Sequence, residues 1–193
     1  MGEVEGQVRS EQLDAEREAR RRAALAQIRQ YPDPALRLRA NEVDELDDSV
    51  SALVERMTTL MQEARGVGLA APQVGVLRRV LVYQTSDDDP VVALINPRLA
   101  GSSEERETLD EGCLSLGAAS VVVPVERPAA VTVEATTPGG EEVTVEAEGL
   151  EARVIQHELD HLDGVLIIDR TGPAERRTAL GQLRPQPILG PLV

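Results

Sequence analysis

The stretch Gln156-His157-Glu158-Leu159-Asp160-His161-Leu162-Asp163-Gly164 contains both histidines of this 193-residue chain. It lies in an apolar-patterned run, and the pair Asp163-Gly164 is typical of a helix end, so we predict a helix over 150–162. Residues four apart on a helix lie on one face, so both imidazoles can bind one metal ion. Glu158 lies beside them, where it can hold or deprotonate a water molecule on that ion. The stretch therefore predicts a hydrolytic metal site.

Two histidines do not complete such a site, which commonly has three protein ligands and a water. The third histidine of the metzincin motif is absent, because Ile167 occupies its position. Glu175 is a downstream carboxylate, and Cys113 is the single thiol of the chain. A lone cysteine is commonly a small buried apolar residue, but the neighbouring Gly112 lets backbone approach a ligand. This context favours Cys113, and Glu175 is the alternative.

A segment rich in glycine and alanine, Gly66-Val67-Gly68-Leu69-Ala70-Ala71-Pro72-Gln73-Val74-Gly75, precedes the cysteine. It lacks the lysine and hydroxyl residue of a phosphate-binding loop. Taken alone, the segment indicates a tight turn. Beside a metal site, it offers an accessible backbone edge and an amide donor, Gln73, for a developing oxyanion.

The composition excludes several classes of protein. The formal net charge is −14, and all 20 basic residues are arginine. An acidic surface repels phosphate backbones, so we expect no direct nucleic-acid binding. The absence of lysine excludes lysine Schiff-base and P-loop chemistry, and the single cysteine excludes an internal disulfide. No apolar run reaches the length of about 18 residues needed to span a membrane, and no signal peptide is evident, so we expect a cytoplasmic protein.

The pattern of apolar residues predicts an α+β fold. Helical periodicity predicts helices over 10–30, with Ser10 as the cap, and over 49–64 in addition to 150–162. Runs rich in β-branched residues predict strands at 79–83, 91–95, 121–125, 131–135, 142–147 and 165–168. The fourth and fifth of these form a hairpin across Pro138-Gly139-Gly140. Strands grouped between helices, without βαβ alternation, favour the α+β class.

Three segments of this sequence, in this order, resemble the motifs of the peptide deformylase family. They are residues 66–75, 111–115 and 156–164. A looser similarity covers residues 28–170. The resemblance implies antiparallel or mixed β-sheets packed around a central metal-binding helix.

The extent of that similarity, together with the residue pattern outside it, predicts three parts of the chain. Residues 1–27 form an N-terminal helical extension, 28–171 the catalytic domain, and 172–193 a Pro-rich tail. The prolines lead us to expect that the tail is loosely ordered after a short helical turn.

The resemblance implies removal of the formyl group from N-formylmethionyl peptides as they leave the ribosome. It implies one divalent metal ion per chain, Fe²⁺ being the usual physiological metal of the family and Zn²⁺, Ni²⁺ or Co²⁺ able to occupy the site. The implied ligands are Cys113, His157 and His161. The metal-bound water attacks the formyl carbon while Glu158 acts as general base and then as general acid. The metal, the Gln73 side-chain amide and the Leu114 backbone N–H hold the oxyanion.

The implied substrate site takes the peptide as an added strand, with the methionine side chain in an apolar pocket. Five residues are predicted to contact it: Val67, Gly68, Gly112, Leu150 and Val154. Leu150 and Val154 precede His157 by seven and three residues, so they share its helix face. We further expect Glu111 to pair with Arg127 and fix the cysteine loop, the alternative being two solvated charges.

The sequence departs from the family at two places. The stretch Gly117-Ala118-Ala119-Ser120 lacks the Pro, Arg or aromatic residues often found there, which predicts altered affinity for the peptide. No basic C-terminal helix is evident, so we expect transient proximity to the ribosome rather than strong binding.

Two other functions remain as alternatives at this point. One is a zinc endopeptidase with Glu175 as the third ligand. The other is a degenerate, non-catalytic relative that binds formylated peptide ends, although such a binder has no need of a general base at Glu158.

Overall fold

A five-stranded antiparallel sheet lies between two helices in the computed structural model, which describes the backbone of residues 2–183 and the side chains of residues 13–183. The helices are α1 (Gly2–Leu25), α2 (Asp48–Glu63), α3 (Gly149–Leu162), α4 (Ile167–Arg170) and α5 (Pro173–Leu183), with 3₁₀ turns at Pro34–Arg37 and Ala71–Val74. The strands are β1 (Gly68–Ala70), β2 (Val80–Tyr83), β3 (Val92–Ser102), β4 (Arg106–Gly112), β5 (Val122–Pro128), β6 (Ala130–Thr136) and β7 (Glu142–Glu148). The sheet order is β1-β2-β3-β6-β7, and β4 pairs with β5 in a separate two-stranded sheet. The predicted α+β class, with antiparallel sheets around the helix of the two histidines, is confirmed.

Strand β2 explains the layering, because its side chains are buried on both faces of the sheet. Val80 and Val82 belong to the apolar cluster that includes the buried stripe of α2. Leu81 and Tyr83 point the other way, into the cluster that includes α3. Successive side chains of a strand alternate between faces, so an unbroken apolar run is the pattern that this position requires.

The predicted helix at 49–64 is confirmed to within one residue, because its cap is strong. The Asp47 carboxylate accepts hydrogen bonds from the backbone N–H groups of Ser49 (3.0 Å) and Val50 (3.1 Å). Such a cap satisfies two of the donors that a helix start leaves free. The amphipathic stripe then packs against the sheet.

The predicted helix of the histidine motif and the predicted hairpin before it are also confirmed. Helix α3 ends before Gly164, whose φ of 73° is in the left-handed region that favours glycine. Strands β6 and β7 pair antiparallel from Ala130–Glu148 to Thr136–Glu142. The hairpin leads directly into α3, since β7 ends where the helix begins.

The first helix differs from the prediction of 10–30. It covers Gly2–Leu25, so Ser10 lies inside it and does not cap it. The helix ends early because the following backbone has tertiary partners. The N–H of Arg29 donates to the carbonyl of Gln73 at 2.7 Å, and the N–H of Tyr31 donates to that of Ser115 at 2.9 Å.

The structure differs from two predictions at the C-terminal end. The predicted strand at 165–168 overlaps the short helix α4, whose first turn is held by the Asp169 carboxylate accepting from the Leu166 N–H at 2.9 Å. A short apolar run does not distinguish strand from buried helix. The short helical turn predicted after Gly172 is longer than expected, because α5 is an 11-residue helix that buries Ala179. Residues 184–193 of the predicted tail lie outside the described residues.

Two strands were not predicted, and β3 and β5 continue past their predicted ends. Strand β1 is three residues long, and β4 is polar and exposed except at Glu111. Strand β3 continues past the predicted end at 95, because a bulge between Ile95 and Arg98 absorbs Pro97. Asn96 has a φ of 51° in this bulge.

The boundaries predicted at residues 27 and 171 stay predictions. Among the described helices, none has the length and apolar character that a membrane span requires.

Candidate metal centre

Three side chains with metal-binding atoms meet beside the N-terminal end of β1. The ligand atoms of Cys113, His157 and His161 all lie within 4.8 Å of one another. Both histidines are on α3, one turn apart, with ring centroids separated by 5.0 Å. Cys113 directly follows β4, and its Sγ is 3.2 Å from His161 Nε2. The structure therefore brings the three predicted ligands together from two different elements.

The donor set fits a divalent transition metal. One thiolate and two imidazoles are ligands that Zn²⁺, Fe²⁺, Ni²⁺ and Co²⁺ accept, and three protein ligands leave a position for water. Burial and the nearby His157 hold the pKa of His161 well below its ordinary value, so its imidazole is neutral, as a ligand must be. Glu175 is exposed on α5 and is not part of this group. The alternative third ligand is therefore wrong, and with it the basis for the endopeptidase.

A buried carboxylate orients the first histidine. Glu111 Oε2 lies 3.0 Å from His157 Nδ1, which leaves Nε2 of that ring free to face the other ligands. Burial raises the pKa of Glu111, but hydrogen bonds from His157 and Arg127 outweigh it and lower the pKa to about 2. Arg127 binds both oxygens of Glu111, at 2.7 and 2.9 Å. The predicted pairing of Glu111 with Arg127 is confirmed, and the alternative of two solvated charges is wrong.

The sequence reasoning missed two partners of this carboxylate network. Arg153 Nη1 donates to Glu111 Oε1 at 2.7 Å, and Arg127 Nη1 donates to Asp160 Oδ2 at 2.9 Å. A signal for Arg153 was present, because it precedes His157 by four residues and so shares its helix face. Asp160 follows His157 by three residues and also shares its face, but spacing does not reveal its partner Arg127, which comes from a distant strand.

Glu158 is buried beside the ligands with one oxygen unpaired. Glu158 is 3% exposed, and its Oε2 has no hydrogen-bond partner among the described residues. Burial raises the pKa of Glu158 to about 7. A carboxylate with a pKa near neutrality can accept and return a proton efficiently.

Gln73 is held in a fixed orientation at the other side of the site. Its Oε1 accepts from the backbone N–H of Ala70 at 2.8 Å. Its Nε2 donates to Ser115 Oγ at 3.2 Å and lies 3.8 Å from Cys113 Sγ. One amide N–H therefore points towards the Cys113 sulfur, and the other is bonded to Ser115. Ser115 is a further site residue that the sequence reasoning missed.

A cleft of about 270 Å³ opens in front of these groups. Of the eleven residues predicted for the site, all but His161 line it: Val67, Gly68, Gln73, Gly112, Cys113, Leu114, Leu150, Val154, His157 and Glu158. His161 is 1% exposed and lies behind the other ligands. Val67 and Leu150 are about half exposed, so they form the mouth.

The floor of the cleft is an open strand edge. Strand β1 is the outermost strand of its sheet. The carbonyl of Val67 accepts from the Gln84 N–H at 2.9 Å, towards β2. Because antiparallel residues alternate in the side to which their N–H and C=O point, those of Gly68 face the cleft. A Cβ on Gly68 would lie 2.5 Å from Glu158 Oε1, so a side chain has no room there.

The loop that departs from the family motif closes one wall of the cleft. Gly117, Ala118 and Ala119 have φ values of 62°, 54° and 65°, all in the left-handed region. Alanine adopts this region at a cost of about 1–2 kcal/mol. The Ala119 N–H donates to the Cys113 carbonyl at 2.9 Å, so the loop folds back over the cysteine and presents Ala119 to the cleft.

Comparison with known proteins finds relatives that match most of this chain. A family model described as polypeptide deformylase matches residues 25–177. A peptide deformylase of Natranaerobius thermophilus is 46% identical over 147 residues, which are 76% of this chain and 92% of the relative. Peptide deformylase 1 of Corynebacterium glutamicum is 44% identical over 163 residues, with coverages of 83% and 95%.

Solved structures agree with the fold. The peptide deformylase of Synechococcus elongatus in complex with actinonin has a TM-score of 0.76 at 36% identity, covering 82% of this chain and 91% of that one. The Thermotoga maritima peptide deformylase has a TM-score of 0.72 at 44% identity, with coverages of 76% and 97%.

Proposed function

This chain belongs to the peptide deformylase family, and from that premise we propose how its own residues remove the formyl group from a peptide N-terminus. The observation that carries the proposal is one thiol and two imidazoles in reach of a single ion, with the unpaired carboxylate of Glu158 beside them. The activity is that of a metal-dependent amide hydrolase. The substrates are N-formylmethionyl chains newly made on the ribosome, which the protein meets by transient proximity in the cytosol.

We propose Fe²⁺ as the physiological ion, held by Cys113, His157 and His161. When bound, the ion supplies Lewis-acid activation of water and of the formyl oxygen. The mixed nitrogen and sulfur ligation is compatible with Zn²⁺, Ni²⁺ and Co²⁺ as well. Reducing conditions in the cytosol keep the Cys113 thiolate available as a ligand.

Glu158 moves the proton in both halves of the reaction. It accepts the proton of the attacking water at the unpaired Oε2, and later donates it to the nitrogen of the leaving amine. Its raised pKa, about 7, supports both roles because neither protonation state is strongly disfavoured near neutral pH.

Gln73 and Leu114 stabilise the negative charge that develops on the formyl oxygen. The Gln73 amide donates from Nε2, whose orientation is set by the bond from the Ala70 N–H to Oε1. The backbone N–H of Leu114 follows the ligand cysteine directly. Donors held in place before the reaction lower the barrier without reorganisation during it.

The peptide binds as an additional strand on β1. The N–H and C=O of Gly68 pair with the peptide backbone, and Val67 and Gly112 bound the peptide on its two sides. The methionine side chain enters the apolar part of the cleft against Leu150 and Val154. An open edge next to an apolar pocket favours an extended peptide with one buried side chain.

Replacing Gly68 by alanine is expected to lower kcat/KM by about a hundredfold. The new Cβ would lie 2.5 Å from Glu158 Oε1 and 2.9 Å from Val154 Cγ1, so the general base must shift. Misplacing a catalytic group by about 1 Å costs about this much. Release of formate from formyl-Met-Ala-Ser measures the effect.

The matched control is Gly101→Ala in β3, where the nearest atoms to a Cβ are at 3.7 Å and belong to Thr132. Its activity is expected within twofold of the wild type. Equal activities of the two variants would contradict the requirement for glycine beside the Glu158 carboxylate.

The function itself is tested by incubating the protein with formyl-Met-Ala-Ser and Fe²⁺ under anaerobic conditions. We expect catalytic release of formate, together with about one metal ion per chain. Absence of formate from a protein that retains its metal would favour the non-catalytic relative that binds formylated ends.

A further inference from the structure

We propose that Arg153 is a positioning residue for the metal ligands, which holds Cys113 at a constant distance from the two histidines and thereby sets how tightly the ion is retained. The inference rests on the metal site of the proposed function and concerns a residue that is neither a ligand nor a proton carrier.

The three ligands come from parts of the fold that no strand pairing joins. Cys113 follows β4, whereas His157 and His161 are on α3. In the described part of the chain, β4 and β5 pair only with each other and form no ladder with the main sheet. The hydrogen bonds that join β4 and β5 to α3 in the described residues all involve side chains, so side-chain contacts help to set the position of the cysteine relative to the helix.

Arg153 makes these contacts from the helix to both strands. Arg153 is 8% exposed and lies one turn before His157 on α3. Its Nη1 donates to the backbone carbonyl of Val125 in β5 at 3.0 Å, and its Nη2 donates to that of Glu107 in β4 at 2.9 Å. A planar guanidinium with several donors can hold two strands and a carboxylate at once, which an ammonium cannot.

The same guanidinium completes the hydrogen bonding of Glu111. That carboxylate accepts two bonds from Arg127, one from Arg153 Nη1 at 2.7 Å and one from His157 Nδ1. Two carboxylate oxygens offer about four acceptor positions, so the group has no freedom to rotate. Loss of Arg153 removes one of the two hydrogen bonds to Glu111 Oε1, which loosens the carboxylate and with it the orientation of the His157 ring.

Arg127 does not replace this function. Arg127 lies in β5 and joins Glu111 to Asp160. Because Asp160 is on α3, Arg127 also links the strand pair β4–β5 to the helix. It makes this link through a second side chain, however, whereas Arg153 binds strand carbonyls directly. Removing Arg153 leaves the buried carbonyl of Val125 and the part-buried carbonyl of Glu107 without these donors, which favours a shift of β4 and of the cysteine that follows it.

The test compares Arg153→Met and Arg153→Lys with the wild type. Methionine keeps much of the stem and removes every donor, and lysine keeps the charge but not the fork. The matched control is Arg106→Met. This substitution removes an exposed arginine–carboxylate pair between β4 and β5, in which Arg106 Nε donates to Glu126 Oε1 at 2.8 Å. Co²⁺ is titrated into the full-length chain against a chelator, and the thiolate-to-cobalt absorption band reports ligation by Cys113.

We expect Arg153→Met to weaken Co²⁺ binding by about 10-fold to 100-fold and to diminish the thiolate band. We expect kcat for formyl-Met-Ala-Ser to fall with the metal site saturated, by a larger factor than the change in KM. Arg153→Lys is expected to lie between methionine and wild type, and Arg106→Met within threefold of the wild type.

A wild-type chain that binds no Co²⁺ would overturn the metal site itself. A wild-type chain that binds Co²⁺, with Arg153→Met within threefold of it, would overturn only the positioning role, even if the variant melts at a lower temperature. If Arg153→Met does not fold, Arg153→Lys decides: an affinity equal to that of the wild type contradicts the proposal.

Discussion

Replacing Glu158 by glutamine is expected to lower kcat for deformylation by about a thousandfold or more, while the metal content stays at one ion per chain. Glutamine has nearly the same shape but cannot accept the proton of the attacking water or return it to the leaving amine. Both proton transfers are lost with one substitution, so the effect is at the upper end for general acid–base catalysis. Formate release at saturating formyl-Met-Ala-Ser measures kcat, and elemental analysis measures the metal.

A second glutamate of the same helix supplies the control. Glu151 is on α3, outside the cleft, and its Oε1 accepts from the Tyr83 hydroxyl at 2.8 Å. Because a glutamine oxygen can accept that bond equally, Glu151→Gln is expected to keep kcat within twofold of the wild type. If Glu158→Gln retained more than about a tenth of the wild-type kcat, a different proton carrier would have to be sought.

Replacing Cys113 by alanine is expected to remove the metal ion and to lower kcat/KM by at least about a thousandfold, because the ion supplies several kcal/mol of charge stabilisation. Two histidines alone bind a divalent ion far more weakly than three ligands do. Cys113→Ser, which keeps nearly the same volume at this buried position, is expected to lose most of the metal as well. Metal content after dialysis and formate release are the two measurements.

Glu175→Ala is the corresponding control for the third ligand. Glu175 is exposed on α5, so metal content and activity are expected within twofold of the wild type. The reverse result, with metal and activity surviving in Cys113→Ala and lost in Glu175→Ala, would restore the endopeptidase alternative.

The elements that were predicted well have strong local signals. Helix α2 has an amphipathic stripe and the Asp47 cap. Helix α3 has the glycine end at Gly164, and β6 with β7 has strict alternation around a tight turn. These signals act within a few residues, so they are visible in the sequence without knowledge of the partners.

The elements that were missed depend on distant partners. Strand β4 has the sequence of a solvated loop, and it is a strand because each residue from Arg106 to Gly112 pairs with β5. Strand β1 is only three residues long, Gly68-Leu69-Ala70, and is held by β2. Helix α1 ends at Leu25 because the backbone of Arg29 binds Gln73, which follows it by more than forty positions in the chain.

The sequence by itself determined the chemistry of this protein. Two histidines one helical turn apart, a glutamate between them and one cysteine in a Glu-Gly-Cys motif limit the ligands and the general base to particular residues. Spacing on a helix is a local property, so the common face of His157 and His161 needed no further information.

Only the tertiary structure decided how these groups are held. The choice of Cys113 over Glu175 required the end of β4 to meet α3, and the orientation of His157 required Glu111 with two arginines from separate elements. Such contacts join residues far apart in the chain, and their geometry depends on how helix and strands pack together. Sequence spacing carries no record of that packing, because a buried charge finds its partner only when the chain has folded.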